Sequence, residues 1–215
     1  MSEDFIEAQY DITKKTRVRK FYEKNKILIY SFVFLAIISI FGVIFYLENK
    51  DRKRIALSDD YVLAEIYISE GKKDKAKILL EKIIYKNDPT YSSLSLFLLL
   101  NEDLVTNSNQ INDFFDHLLK NNKFEKEMEN LIILKKLLTQ FDTLQESELL
   151  NISKPIISSD SVWKPHILMI FGDYFMSKKE YVKAREFYEK ILTTKGVNQE
   201  FYDQAQLKLR KISNG

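Results

Sequence analysis

Residues that could perform catalysis are few in this chain, and their spacing assembles no recognisable reactive site. The 215 residues include no cysteine and only two histidines, His117 and His166, which lie far apart in sequence. Neither histidine has a partner at the spacing of a zinc site. The five glycines form neither a phosphate-binding loop nor a nucleophile elbow. We therefore expect no enzymatic activity, no cofactor and no bound metal.

Paired acidic residues are the remaining candidates for acid/base chemistry. The pairs Asp59-Asp60 and Glu102-Asp103 fall near the ends of predicted helices. Carboxylates at such positions commonly complement the helix dipole or are simply solvated. His166 follows Pro165 at a predicted helix start, which indicates a surface or capping role, and His117 is interpreted as a helix-face residue.

An uncharged apolar run from Ile27 to Leu47 is the strongest single feature of the sequence. As a helix rising about 1.5 Å per residue it would span about 30 Å, the thickness of a bilayer's hydrocarbon core. The run is longer than a signal-peptide core, and residues 48–51 offer no cleavage site. We therefore predict a retained transmembrane helix, with Tyr30 and Tyr46 near its two ends.

The cations that flank this run predict its orientation. Seven precede it and four follow it, so the positive-inside rule places residues 1–26 in the cytoplasm and residues 48–215 across the membrane. The basic part of the tail would contact anionic lipid. Nucleic-acid binding is disfavoured because residues 2–11 are acidic and residues 48–215 carry 26 cations and 26 anions. The flanking cations are Lys14, Lys15, Arg17, Arg19, Lys20, Lys24 and Lys26 before the run, and Lys50, Arg52, Lys53 and Arg54 after it.

The region after the span contains an internal repeat. Residues 73–86 and 181–194 each place apolar residues at i, i+3, i+4, i+7 and i+8, which predicts helices with one apolar face. The spacing between the two copies is constant, and the helices predicted before them match at the same spacing. Antiparallel helices approach closely only where a small side chain faces the partner helix, so these residues should pack the hairpins. The repeat-packing residues are Ala64, Tyr67, Ala76, Leu80 and Ile83 in the first copy, and Gly172, Phe175, Ala184, Tyr188 and Ile191 in the second.

The expected fold is all-α. Five glycines and three prolines are few for a turn-rich fold and favour long helices. The spacing of small and aromatic residues resembles the tetratricopeptide repeat (TPR), although Leu168 and Asp60 stand where that family has tryptophan. The resemblance implies that the predicted transmembrane helix is followed by a degenerate TPR-like α-solenoid of antiparallel helix pairs. Residues 91–158 keep helical periodicity but lose the small crossing residues, so irregular stacking is expected there, and residues 198–212 predict a capping helix.

The order of tail, span and TPR-like domain resembles the YfgM-type ancillary subunits of the SecYEG translocon. The most specific stretch is Gly172-Asp173 followed by Tyr181, Ala184-Arg185 and Tyr188. The resemblance implies a bacterial inner-membrane protein that faces the periplasm and links translocon subunits to periplasmic chaperones. The repeats alone equally allow a self-assembling homo-oligomeric anchor that coordinates envelope or cell-division events.

Partner-binding residues are predicted from the resemblance to the tetratricopeptide repeat. In TPR-like pairs the first helix lines the concave side, which selects His166, Met169, Asp173 and Met176. Methionine side chains suit adaptable apolar contacts. The alternative is that neighbouring helices bury both methionines in the core.

Overall fold

A computed structural model describes residues 12–141 and 144–213, with side chains from residue 19 onward except residue 20. Within these residues every regular element is a helix and no strand occurs, which confirms the predicted all-helical class. The chain divides into two compact units, Met1–Ala56 and Leu57–Gly215. The acidic stretch 2–11 and the last two residues of the predicted domain lie outside the described residues. The helices are α1 (Ile12–Ser69), α2 (Lys73–Ile84), α3 (Pro89–Asn101), α4 (Ser108–Asn121), α5 (Lys126–Gln140), α6 (Glu146–Ile157), α7 (Lys164–Ser177), α8 (Tyr181–Leu192) and α9 (Gln199–Ser213).

The first unit consists, in its described part, of helix α1 up to Ala56. The helix extends beyond the predicted span on both sides, where ion pairs Arg19–Glu23 (3.1 Å) and Glu48–Arg52 (2.7 Å) have the i,i+4 spacing that supports helices. No residue of the most apolar window of α1 is buried within the chain. Among the described residues, α1 alone is long and apolar enough to cross a membrane.

The second unit begins at Leu57, and residues 48–56, which precede it in α1, are exposed. Its core has two hydrophobic clusters. One contains Leu80 and Phe115, and the other contains Phe171 and Tyr188. Helix α5 contributes Ile132 to the first cluster and Leu134 and Leu137 to the second, so it links the two halves of the core.

The two repeat hairpins, formed by the end of α1 with α2 and by α7 with α8, share their turn geometry. Gly71 and Lys179 occupy equivalent positions of the two copies, and both have left-handed backbone, with φ of 73° and 62°. The Lys72 N–H donates to the Tyr67 carbonyl, and the Glu180 N–H donates to the Phe175 carbonyl, each at 2.8 Å. The internal repeat is therefore a property of the backbone as well as of the sequence.

Nine of the ten repeat-packing residues are buried, and Tyr67 is half-buried. Tyr67 and its counterpart Phe175 each lie under a lysine. The ammonium group of Lys75 is 5.7 Å from the Tyr67 ring centre, and that of Lys183 is 4.9 Å from the Phe175 ring centre. The repeat thus extends to a cation–π pair at each hairpin.

The middle helices are tied to the second hairpin by a polar cluster at Ser161, in the connection between α6 and α7. The Ser161 hydroxyl donates to the Glu127 carboxylate (2.8 Å) and accepts from the Asn130 amide (3.1 Å). The Trp163 indole N–H donates to the Glu127 carbonyl at 2.9 Å. Glu127 and Asn130 lie in α5, so these bonds fix the start of α5 against the residues that lead into α7.

Candidate partner-binding surface

Helix α7 carries all four predicted partner-binding residues, and its position is set by the crossing with α8. At Gly172 an added Cβ would lie 2.7 Å from Cδ1 of Tyr188 and closer still to Cε1. Glycine therefore lets the Tyr188 ring lie against the α7 backbone, where it is fully buried. The predicted role of Gly172 as a crossing residue agrees with this contact.

Asp173 is exposed, but its carboxylate already joins three helices. One oxygen, Oδ1, accepts from the Tyr188 hydroxyl of α8 at 2.6 Å and from the Lys208 ammonium of α9 at 2.5 Å. Burial, followed by the hydrogen bond to Asp173, raises the pKa of Tyr188 well above its usual value. Asp173 therefore has a structural role in holding α9 on the hairpin.

His166 is half-buried between two aromatic rings. Its imidazole lies 4.5 Å from Phe201 of α9 and 5.3 Å from Trp163, measured between ring centres. Burial lowers the pKa of His166, and the nearby Val162 carbonyl and Glu200 carboxylate oppose that shift without cancelling it. His166 thus packs α9 onto the start of α7.

The two methionines have different surroundings. Met169 is 8% exposed and belongs to the core, as the alternative interpretation expected for both. Met176 is half-buried at the edge of the same core cluster. Their spacing puts the four predicted residues on one face of α7. They do not form one continuous exposed surface, because the core buries Met169 and because Trp163 and Phe201 partly cover His166.

A groove of about 520 Å³ lies beside Asp173, in the size range of ligand pockets. Its apolar wall consists of Phe141, Leu144, Ile170 and Tyr174, and the Phe141 ring contacts Tyr174 edge to face at 5.0 Å. Asp173 and Lys178 supply opposite charges at its rim, with Ser177 between them on α7. The groove is suited to an apolar side chain that is followed by polar groups.

The sequence analysis missed Phe141, Leu144, Ile170 and Tyr174. The available signal was a pair of large apolar residues, Phe141 and Leu144, in the connection between α5 and α6, because connections usually expose polar residues. Ile170 and Tyr174 each follow a predicted residue, Met169 and Asp173, by one position, which is a turn of about 100° around the helix. The prediction therefore selected the helix that lines the groove but, apart from Asp173, a different face of it.

Within residues 12–141 and 144–213, no three histidine, cysteine or acidic residues are grouped so as to hold a metal ion. His117 hydrogen-bonds Asn87 at 2.8 Å and lies 4.6 Å from the Tyr85 ring centre, which places it on a helix face as interpreted. Comparisons with protein-family models, curated proteins and solved structures gave no match to the chain.

Proposed function

We propose that this protein is a non-enzymatic, membrane-anchored scaffold whose helical domain binds other proteins. The observation that carries the proposal is that the most apolar window of α1 has no buried residue. A continuous apolar surface of this length is unfavourable in water and stable in a bilayer core. We therefore assign Ile27–Leu47 to a single membrane span, with the tail 1–26 in the cytoplasm as the flanking cations predict.

For the domain, we infer a degenerate TPR-like stack that presents the groove beside Asp173 to protein partners. The support is that turn, hydrogen bonds and cation–π pair all recur at equivalent positions of the two hairpins. A helix pair cannot bury its own apolar face alone, which favours stacking of successive pairs. The groove adds an apolar wall with opposite charges at its rim.

Among membrane-anchored scaffolds, we propose the role of an ancillary subunit of the secretion translocon. It would be anchored in a bacterial inner membrane, face the periplasm and link the translocon to periplasmic chaperones. The support is the order of basic tail, span and helical domain, together with the Gly172-Asp173 stretch and its continuation in α8.

The test is site-specific photo-crosslinking of the full chain in growing bacterial cells. A photoreactive residue at Ser177, on the rim of the groove, should capture a translocon subunit or a periplasmic chaperone. Ser69 provides the matched control, because it is the equivalent residue of the first hairpin and its hydroxyl makes the same 2.8 Å bond to the carbonyl three residues before it. Capture from position 177 but not from position 69 is the expected result.

Two results would contradict this assignment. If position 177 crosslinks only to a second copy of the chain, the result supports a self-assembling anchor and contradicts the role of a translocon subunit. If neither position captures any protein while the chain remains in the membrane, the groove is not a protein-binding surface.

A further inference from the structure

At the end of the α7/α8 hairpin opposite its turn, two chain connections enclose a pocket rich in lysine. The pocket has a volume of about 400 Å³ and lies between the α6–α7 connection and the residues that follow α8. Lys164, Lys190 and Lys195 line it, and Asp160 is the only acidic residue among its lining residues. Three cations against one anion give this pocket a net positive charge.

Within the described residues, the three ammonium groups have no ion pair and no hydrogen bond. The ammonium group of Lys190 makes one other contact, a cation–π contact with the Phe187 ring at 4.9 Å. Lys190 lies in the last turn of α8, where a cation complements the helix dipole. That role does not explain Lys164, which is the first residue of α7, where the dipole is positive. Like charges in one pocket repel each other unless an anion is bound between them.

The neighbouring hydroxyl groups already donate their hydrogen bonds within the chain, so they are not available as donors to an anion. The hydroxyls of Thr193 and Thr194 donate to the Lys190 carbonyl at 3.1 and 2.7 Å. The Ser161 hydroxyl donates to Glu127. Among the side chains that line the pocket, the lysine ammonium groups therefore remain as donors for an anion, and they form charge-assisted hydrogen bonds.

A second, more apolar pocket of about 250 Å³ adjoins the first. Val162, Pro165, His166, Val197 and Phe201 form one side of it, and its remaining lining residues, Asn198 among them, are mostly polar. The two pockets share Asp160, Ser161, Thr194 and Lys195, so they form one cleft with a cationic end and an aromatic end.

We propose that this cleft binds an acidic segment of a partner protein, with a carboxylate at the three lysines and an adjacent large apolar side chain in the aromatic pocket. This proposal rests on one part of the proposed function, namely that the helical domain binds other proteins. Asp160 supports a peptide over a phosphate group, because it repels a second negative charge and can accept a hydrogen bond from a peptide N–H. The small aromatic pocket suits one side chain better than a lipid's acyl chain.

Trp163 provides a direct readout, because it is the only tryptophan of the chain and its ring contacts His166 in the cleft. The full chain in non-ionic detergent micelles, which contain no other tryptophan, would be titrated with a blocked tetrapeptide, glycine–aspartate–phenylalanine–glycine, while Trp163 fluorescence is recorded. Two matched peptides replace the aspartate by asparagine or the phenylalanine by glycine. We expect saturable binding of the first peptide and at least tenfold weaker binding of both controls.

The variant that tests the lysines combines Lys164→Gln, Lys190→Gln and Lys195→Gln. It should weaken binding of the acidic peptide at least tenfold and remove the preference for aspartate over asparagine. The matched control combines Lys120→Gln, Lys123→Gln and Lys126→Gln, which changes the net charge equally at exposed positions outside the cleft. This control should bind the peptide as the unchanged chain does.

Three outcomes would overturn the proposal: equal binding of the aspartate and asparagine peptides, equal loss in both triple variants, or no peptide binding while inorganic phosphate changes Trp163 fluorescence saturably. The third would identify a phosphate site. Each can occur while position 177 still captures translocon subunits, so failure of this cleft is distinguishable from failure of the proposed function.

Discussion

Gly172 shows how one missing Cβ determines a helix crossing. Alanine in a helix is favoured over glycine by about 0.5–1 kcal/mol, whereas overpacking a filled core costs about 1–3 kcal/mol. The Tyr188 ring occupies the space of the new methyl group, so overpacking should dominate. We expect Gly172→Ala to lower the free energy of unfolding by about 1–2 kcal/mol, measured by urea titration in detergent with Trp163 fluorescence.

The first hairpin supplies the control for this substitution, because it has Ala64 and Leu80 where the second hairpin has Gly172 and Tyr188. In a Tyr188→Leu background, Gly172→Ala should therefore become neutral or stabilising. Residues in direct contact show coupling energies of about 0.5–3 kcal/mol. An equal loss of stability in both backgrounds would contradict the proposed contact.

The half-buried imidazole of His166 predicts a pH dependence of stability. Its pKa is lowered in the folded chain, chiefly by burial, so the unfolded chain binds the proton more readily. The stability that His166 contributes is thus present above its unfolded pKa of about 6.5 and is lost as pH falls toward the lower folded value. Between pH 8 and pH 5.5 the unfolding free energy of the unchanged chain should fall more steeply than that of His166→Gln. Parallel slopes would exclude this role.

At the level of helices, the sequence predicted the two hairpins well. The constant spacing of the repeat matches the small crossing residues of the two hairpins. It also matches their turns, since Gly71 and Lys179 are equivalent residues and both have left-handed backbone conformation. The predicted capping helix at 198–212 is α9, Gln199–Ser213, and the amphipathic segments 73–86 and 181–194 are α2 and α8 with slightly earlier ends. Local periodicity was sufficient because these helices pack against neighbours close in the chain.

The contacts that join helices distant in sequence could not be predicted. Asp173 meets Lys208 and Glu127 meets Ser161, pairs separated by 35 and 34 residues. Such pairs leave no period in the sequence, and each member alone resembles an ordinary solvated residue. For the same reason Asp173 was assigned to partner binding alone, whereas its hydrogen bonds hold three helices together.

The Ser161 cluster predicts how the middle helices depend on the second hairpin. Ser161→Ala should speed hydrogen exchange of the hydrogen-bonded amides from Glu129 onward in α5, because Asn130 and Glu127 lose their shared buried partner. A lost buried hydrogen bond of this kind costs about 1–3 kcal/mol. Ser159→Ala is the control, since the Ser159 hydroxyl bonds only the nearby Ile156 carbonyl. Equal exchange of the α5 amides in both variants would contradict this coupling.

At the scale of the whole molecule, the most apolar window of α1 has no buried residue, and the proposed membrane anchor depends on it. Composition and length sufficed to predict this helix, because an uncharged run of bilayer length needs no tertiary contact to be recognised. The regular stacking of the domain and the identity of its partner depend on surfaces that composition does not encode.

Single-cysteine labelling in intact cells tests the membrane-anchored scaffold most directly, and the natural chain has no cysteine to remove. The variants Glu23→Cys and Ser177→Cys place one exposed thiol before and one after the predicted span. A maleimide that enters the periplasm but does not cross the inner membrane should label position 177 in intact cells and position 23 only after membrane disruption. The chain should remain in the membrane fraction after alkaline carbonate extraction. A chain released as soluble protein, with both positions labelled only after lysis, would contradict the account.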